Sequence, residues 1–187
     1  SNYEIHIGSE FIHKLPTLFD TSDYSQIFIV SDTNVSNFYL DQVMSAYANS
    51  NKQVRVNSYI FTAGEESKNI ETFTDIHKHL AKCSFDRKGL IVNLGGGVTT
   101  DLGGFVASTY QRGVDFINIS TSIEGMVDAS VGGKTGINLD GYKNYIGLFN
   151  HPKAIFIDIT TLQTLPQREL IAGFAEVIKP GSGKGKK

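Results

Sequence analysis

The chain has 187 residues, 40% of them hydrophobic and 19% charged, with a formal net charge of −2. That supports one sizeable globular core and gives no electrostatic footprint for nucleic acid or an anionic membrane surface. No apolar run approaches the ~18 residues that span a bilayer, and no secretory leader opens the chain. The single cysteine, Cys83, has no internal disulfide partner, so a cytoplasmic protein without membrane or nucleic-acid partners is expected.

In chain order, Tyr3 to Ile7 alternates like a strand, and residues 10–19 hold a short helix around Leu15 and Leu18. Ser25 to Val30 reads as a buried strand, and Ser31-Asp32-Thr33-Asn34 follows at its end. Residues 34–49 carry a helical period through Val35, Phe38, Val43 and Tyr47. Val54 to Phe61 alternates as a strand, residues 62–67 form a turn, and 68–82 read as an amphipathic helix with Ile70, Phe73, Ile76 and Leu80 on one face. His77 and His79 lie two apart on that helix, do not share a face as metal ligands would, and read as solvated surface. Gly89 to Leu94, Phe116 to Ser120 and Ala154 to Ile159 are further strands, and a last helix runs from about Gln167 to Lys179.

Strands alternating with helices predict a Rossmann-like α/β domain, a mostly parallel sheet with helices on both faces. Residues 1–160 form that domain, 161–179 begin a helical segment, and 180–187 read as a linker or tag-like tail, broken off at Pro180. Ligands in such sheets sit beyond the strand C-termini. Polar groups collect there: Asp32 and Asn34, Glu65 and Lys68, Gly95 to Asp101, then Thr121 and Ser122.

Two glycine clusters carry the chemistry. Gly95-Gly96-Gly97 follows a strand and precedes the helix-starting residues Thr99, Thr100 and Asp101. A strand, a glycine turn and a helix N-terminus suit a pyrophosphate, although the spacing is neither G-x-G-x-x-G nor G-x-x-x-x-G-K-[ST]. The second cluster, DASVGGKTGINLDGYKN at 128–144, gathers Asp128, Lys134 and Lys143 around glycines 132, 133, 136 and 141. It is read as a ligand loop, with lysines as point charges for carboxylate or phosphate.

GGGVTTDLGGF at 95–105, YQRGVDFINI at 110–119, VDASVGGKTGIN at 127–138, KNYIG at 143–147 and AGFAEVIK at 172–179 together resemble the 3-dehydroquinate synthase family. SDTN and GEESK occur earlier, and the similarity runs from about Ile27 to Lys179. The resemblance implies the N-terminal NAD-binding half of a phosphate-eliminating lyase of the shikimate pathway. That enzyme converts 3-deoxy-D-arabino-heptulosonate 7-phosphate to 3-dehydroquinate and phosphate, using NAD transiently and a divalent metal, zinc or cobalt. It implies that Asp32, Asn34, Glu65 and Lys68 serve the adenosine side of NAD and that Gly96, Gly97, Val98 and Asp101 serve its pyrophosphate. Thr121, Ser122, Thr164 and Leu165 complete the cofactor contacts. Asp128 would hold a substrate hydroxyl, and Lys134, Lys143, Asn144 and Lys179 the substrate's carboxylate or phosphate. Arg112 would reach a phosphate across a homodimer interface, and Glu176 would be the first metal ligand. The family's C-terminal helical domain, with two further histidine ligands, has no counterpart in this span, so the span alone is expected to bind cofactor without turnover. Ser120-Thr121-Ser122 departs from the family's Pro-Thr-Thr, and Glu124 stands where small or apolar residues are usual. Related sugar-phosphate cyclases of the inosose or valiolone type, and a non-catalytic NAD-binding module, are the alternatives. Val98 after the three glycines argues against a glycerol dehydrogenase, which carries serine there.

Overall fold

The computed structural model describes residues 3–10, 12–51, 53–122 and 133–164. Six strands form one wholly parallel sheet in the order β1-β8-β5-β4-β2-β3. They are β1 (Glu4–Gly8), β2 (Gln26–Asp32), β3 (Arg55–Phe61), β4 (Leu90–Gly95), β5 (Asp115–Ser120) and β8 (Ala154–Asp158). Strands β6 (Lys134–Leu139) and β7 (Tyr142–Phe149) form a separate antiparallel hairpin.

Alternation along each central strand divides the core into two layers. Ile27, Ile29, Leu90, Val92, Leu94, Ile117 and Ile119 face one layer, which is closed by α1 (Leu15–Leu18) and α2 (Val35–Ser50) through Leu15, Leu40, Val43 and Tyr47. Phe28, Val30, Ile91 and Phe116 face the other, which is closed by α3 (Ile70–Lys82) and α4 (Gly97–Thr109) through Ile76, Leu80, Leu102, Phe105 and Val106. Helices therefore cover both faces of the parallel sheet, as such sheets require. Asn69 caps α3, its side chain accepting from Thr72 N at 2.8 Å.

Helix α4 is buried on nearly every side, because the sheet lies under it and the hairpin over it. Adjacent glycines make both approaches possible. A Cβ on Gly103 would lie 1.8 Å from Asn93 Oδ1 on β4, and one on Gly104 would lie 2.7 Å from Thr135 Cγ2 on β6. No helix among the described residues is long and apolar enough to cross a membrane.

Two readings from sequence are corrected. Residues 134–149, partly within the segment read as a ligand loop, form an antiparallel hairpin rather than a loop. Asp140 and Gly141, at φ 35° and 87°, form its two-residue turn, and Asp-Gly supplies the left-handed backbone that such turns need. Gly136 serves strand packing, since a Cβ there would lie 2.7 Å from Ile146 O. His77 is half-buried, its ring against Phe73 and Tyr110 and its Nδ1 2.9 Å from Phe73 O, whereas His79 is exposed. The predicted helix from 167 to 179 lies outside the described residues.

Candidate functional site at the strand C-termini

The chain leaves β2 toward β3 on one side and leaves β4 toward β5 on the other. Adjacent β2 and β4 thus mark the topological switch point, where a crevice opens beyond the strand ends. Asp32 ends β2, and Gly95 ends β4.

Gly96 is the N-cap of α4 and has no side chain to fold back onto the helix. The first N–H groups of a helix have no intrahelical partner, so this turn presents donors and the positive dipole end. The space is kept open by the absence of side chains. A Cβ on Gly95 would lie 2.5 Å from Thr99 Oγ1, and one on Gly96 would lie 2.8 Å from Ser122 Oγ. Thr121 N donates to Gly95 O at 3.0 Å, which ties the end of β5 to the turn. On the other side, Asp32 Oδ1 accepts from Asn34 N and Val35 N, both at 2.8 Å, and so caps α2.

A polar network joins the loop before α3, the N-terminal part of α4 and the hairpin. Lys68, only 4% exposed, donates to Asp101 Oδ2 at 2.9 Å and to Asn144 Oδ1 at 2.6 Å. Glu65 Oε2 lies 3.5 Å from the same ammonium. Asn138 is the hub on the hairpin side. Its N–H donates to Lys68 O at 2.9 Å, its Nδ2 to Glu65 Oε2 at 2.9 Å, and its Oδ1 accepts from Asn144 N at 2.8 Å. The Asn138 hydrogen bond, with Lys68 and Lys143 nearby, holds the Glu65 carboxyl below the usual glutamate range against a smaller opposing effect of burial.

A cavity of about 400 Å³ opens beside this network, lined by Asp101, Lys134, Asn144, Tyr145 and Phe149 among others. A larger one, about 820 Å³, lies between Ile12–Pro16 and α2 and contains none of the predicted site residues. Size does not make it the site, because it lacks the helix N-terminus, the glycine turn and the lysines.

The structure therefore brings Glu65, Lys68, Asp101 and Asn144 into one network. Gly96, Gly97, Val98, Thr121 and Ser122 gather at the neighbouring turn. Lys134 and Lys143 are exposed on β6 and β7. Arg112 is not brought to them. It follows the C-terminal end of α4, and thirteen helical residues put about 20 Å between the two ends of that helix. There Gln111 and Arg112, at φ 47° and 72°, precede Gly113 at φ 115°, three left-handed residues in succession. Thr164 ends a 3₁₀ turn, Ile159–Thr164, after β8. Asp128, Leu165, Glu176 and Lys179 lie outside the described residues, as does Glu124. Sequence reading missed Asn138. The signal for it was Asp140-Gly141, which as a hairpin turn sets Asn138 close to Asn144.

A doubly wound α/β domain with an anion-receptive glycine turn at its switch point is the architecture of a nucleotide-binding domain. The family description "3-dehydroquinate synthase N-terminal" matches residues 58–172. The chain belongs to that family. It is 39% identical over 180 residues to the 3-dehydroquinate synthase of Ruminiclostridium cellulolyticum, covering 96% of this chain and 50% of the relative. A 2-deoxy-scyllo-inosose synthase solved with carbaglucose-6-phosphate, NAD+ and Co2+ superimposes with a TM-score of 0.84 at 25% identity, over 95% of this chain and 48% of that one. The 2-epi-5-epi-valiolone synthase ValA of Streptomyces hygroscopicus, solved with NAD+ and Zn2+, gives 0.79 at 31%, over 96% and 49%. The chain spans about half the length of the curated relatives it matches.

Proposed function

We propose that the chain is the dinucleotide-binding half of a 3-dehydroquinate synthase. The observation that carries this is the side-chain-free turn at Gly95–Gly97, set before an uncapped helix N-terminus at the switch point of a parallel sheet. A pyrophosphate fits such a turn, because Gly95, Gly96 and Gly97 bring no side chain of their own to it, the first N–H groups of α4 have no side-chain cap, and a Cβ on Gly96 would crowd it against Ser122 Oγ. Asp32 uses Oδ1 to cap α2, and its other oxygen would accept the adenosine ribose hydroxyls. Asn34 and Glu65 flank that side, and Thr121, Ser122, Thr164 and Leu165 would line the nicotinamide side.

NAD, when bound, supplies a hydride acceptor that is restored before product leaves. The chain's own groups position the substrate and balance its charge. A substrate with a carboxylate and a phosphate needs several cations. Lys134 and Lys143 stand exposed on the hairpin, Lys134 with Asn144 of β7 lines the 400 Å³ cavity, and Lys179 would join them. Asp128 would accept a substrate hydroxyl. Glu176 would be the chain's contribution to a divalent metal, zinc or cobalt. Among the described residues no group of three or more His, Cys, Asp or Glu could hold a metal ion.

A homodimer accounts for Arg112, whose position beyond the far end of α4 leaves it free to reach a phosphate in a partner's cleft. The single cysteine fits a reducing, cytoplasmic location.

The superposition on inosose and valiolone synthases favours a second reading, a cyclase acting on a different sugar phosphate. One assay separates them. The complete protein containing these residues is supplied with 3-deoxy-D-arabino-heptulosonate 7-phosphate, with a hexose 6-phosphate, and with a heptulose phosphate lacking the carboxylate. Phosphate release from the first alone supports the synthase, and release only from another supports the second reading.

A further inference from the structure

Asn138 stands opposite a break in the hairpin ladder. Ile137 pairs with Ile146 and Leu139 with Tyr142, so this one residue of β6 faces Lys143, Asn144 and Tyr145 of β7. A bulge of this kind costs backbone groups their ladder partners and re-aims the side chains it carries. Asn144 takes a left-handed backbone there, φ 51°, which a non-glycine residue keeps where its surroundings over-determine it. Asn138 supplies that determination. Its Oδ1 accepts from Asn144 N at 2.8 Å, and its own N–H donates to Lys68 O at 2.9 Å, so the bulge is tied to the loop before α3. Its Nδ2 donates to Glu65 Oε2 at 2.9 Å. An amide serves both side-chain bonds, because it offers an acceptor to the N–H and a donor to the carboxylate.

Consecutive side chains of a regular strand point to opposite faces. In the bulge they act on one cluster. Asn144 Oδ1 lies 2.6 Å from Lys68 Nζ, and Glu65 Oε2 lies 3.5 Å from the same ammonium. Lys143 is close enough to Glu65 to help lower its carboxyl pKa. Because Asn138 holds Asn144 by the backbone, the Asn144 side-chain amide stays available to a ligand.

We propose that Asn138 is a positioning residue whose side-chain oxygen fixes the left-handed bulge of β7 and so presents Lys143 and Asn144 together to the substrate's anionic groups. This rests on the reading above of those two residues as substrate-binding.

The test compares Asn138→Ala, which loses the acceptor, with Asn138→Asp, which keeps an oxygen for the Asn144 N–H and loses the donor to Glu65. In the chain, amide hydrogen exchange at Asn144 is at least about fivefold faster in Asn138→Ala and within about twofold of the unsubstituted rate in Asn138→Asp, while the β4 amides keep their rates in both. In the complete protein containing these residues, Asn138→Ala raises KM for 3-deoxy-D-arabino-heptulosonate 7-phosphate about tenfold with kcat within about threefold, and Asn138→Asp returns KM to within about threefold of the unsubstituted value. A merely structural loss would lower kcat through the folded fraction and leave KM unchanged. An unchanged Asn144 rate or an unchanged KM in Asn138→Ala overturns the proposal. So does an equal rise of KM in both variants, which would assign the effect to the Glu65 bond. Should Asn138→Ala not fold, Asn138→Ser, whose hydroxyl stops short of the Asn144 N–H, takes its place with the same expectations. Absence of turnover by the unsubstituted complete protein contradicts the synthase reading alone, and the exchange measurement, which needs no ligand, then decides the role of Asn138.

Discussion

Gly103 and Asn93 meet so closely that a Cβ on the glycine would lie 1.8 Å from Asn93 Oδ1, whose amide Nδ2 donates to Asn118 Oδ1 on the next strand. The strand cannot retreat from this contact, because β4 is paired on both sides. Gly103→Ala should therefore destabilise the fold by about 1–3 kcal/mol, the usual cost of overpacking. Urea unfolding monitored by circular dichroism measures it, and an unchanged midpoint would refute the close packing of α4 on the sheet.

Gly96 differs in kind from Gly103. Its φ of −90° is open to any residue, and the atom a Cβ would meet is the hydroxyl of Ser122, the end of a small side chain that can turn away. Gly96→Ala should leave the unfolding midpoint within about 0.5 kcal/mol and weaken NAD binding about tenfold, because the methyl occupies the phosphate's place. Adding Ser122→Ala should relieve the contact without recovering affinity. Full affinity in Gly96→Ala would place the cofactor elsewhere.

Asp32 holds two jobs on one carboxylate. Losing the cap of α2 in Asp32→Ala should cost about 1 kcal/mol. Losing the acidic group at the end of β2 should also narrow the preference for NAD over NADP, since the carboxylate repels a 2′-phosphate. Paired titrations of the two dinucleotides against the variant check this, and an unaltered preference would remove Asp32 from the adenosine side.

Glu65 sets a pH dependence. Its folded carboxyl is held below the ordinary glutamate value, first by the Asn138 bond and then by Lys68 and Lys143. A depressed folded pKa means that the stability it contributes is complete above the ordinary glutamate range and is lost as pH falls through the lowered value. The chain should thus be more heat-stable than Glu65→Gln near neutrality, with the gap closing as the pH is lowered past the glutamate range. Melting curves from neutral to acid pH measure it, and a gap independent of pH would contradict the charge's role.

The six parallel strands and the long helices were legible because burial on two faces leaves near-continuous apolar runs such as Ile27 to Val30, and because Ile76 and Leu80 keep the helical period on one face of α3. The hairpin was not. Its strands carry glycines at 136 and 147, where backbone lies against backbone, and exposed polar residues, so neither burial nor alternation marked it. The glycine turn was visible in Gly95-Gly96-Gly97, whereas the network at Lys68 was not. Lys68 and Asn144 are 76 residues apart, and only the folding of the hairpin over α4 makes them neighbours. His77 was misread for a similar reason, since Tyr110, which covers it, follows a different helix.

A calorimetric titration of the chain with NAD, with NADP in parallel, decides whether the crevice at the ends of β2 and β4 is a dinucleotide site. Saturable binding in the micromolar to low-millimolar range, tighter for NAD than for NADP, is the predicted result. No heat of binding from a chain that circular dichroism shows to be folded would contradict it.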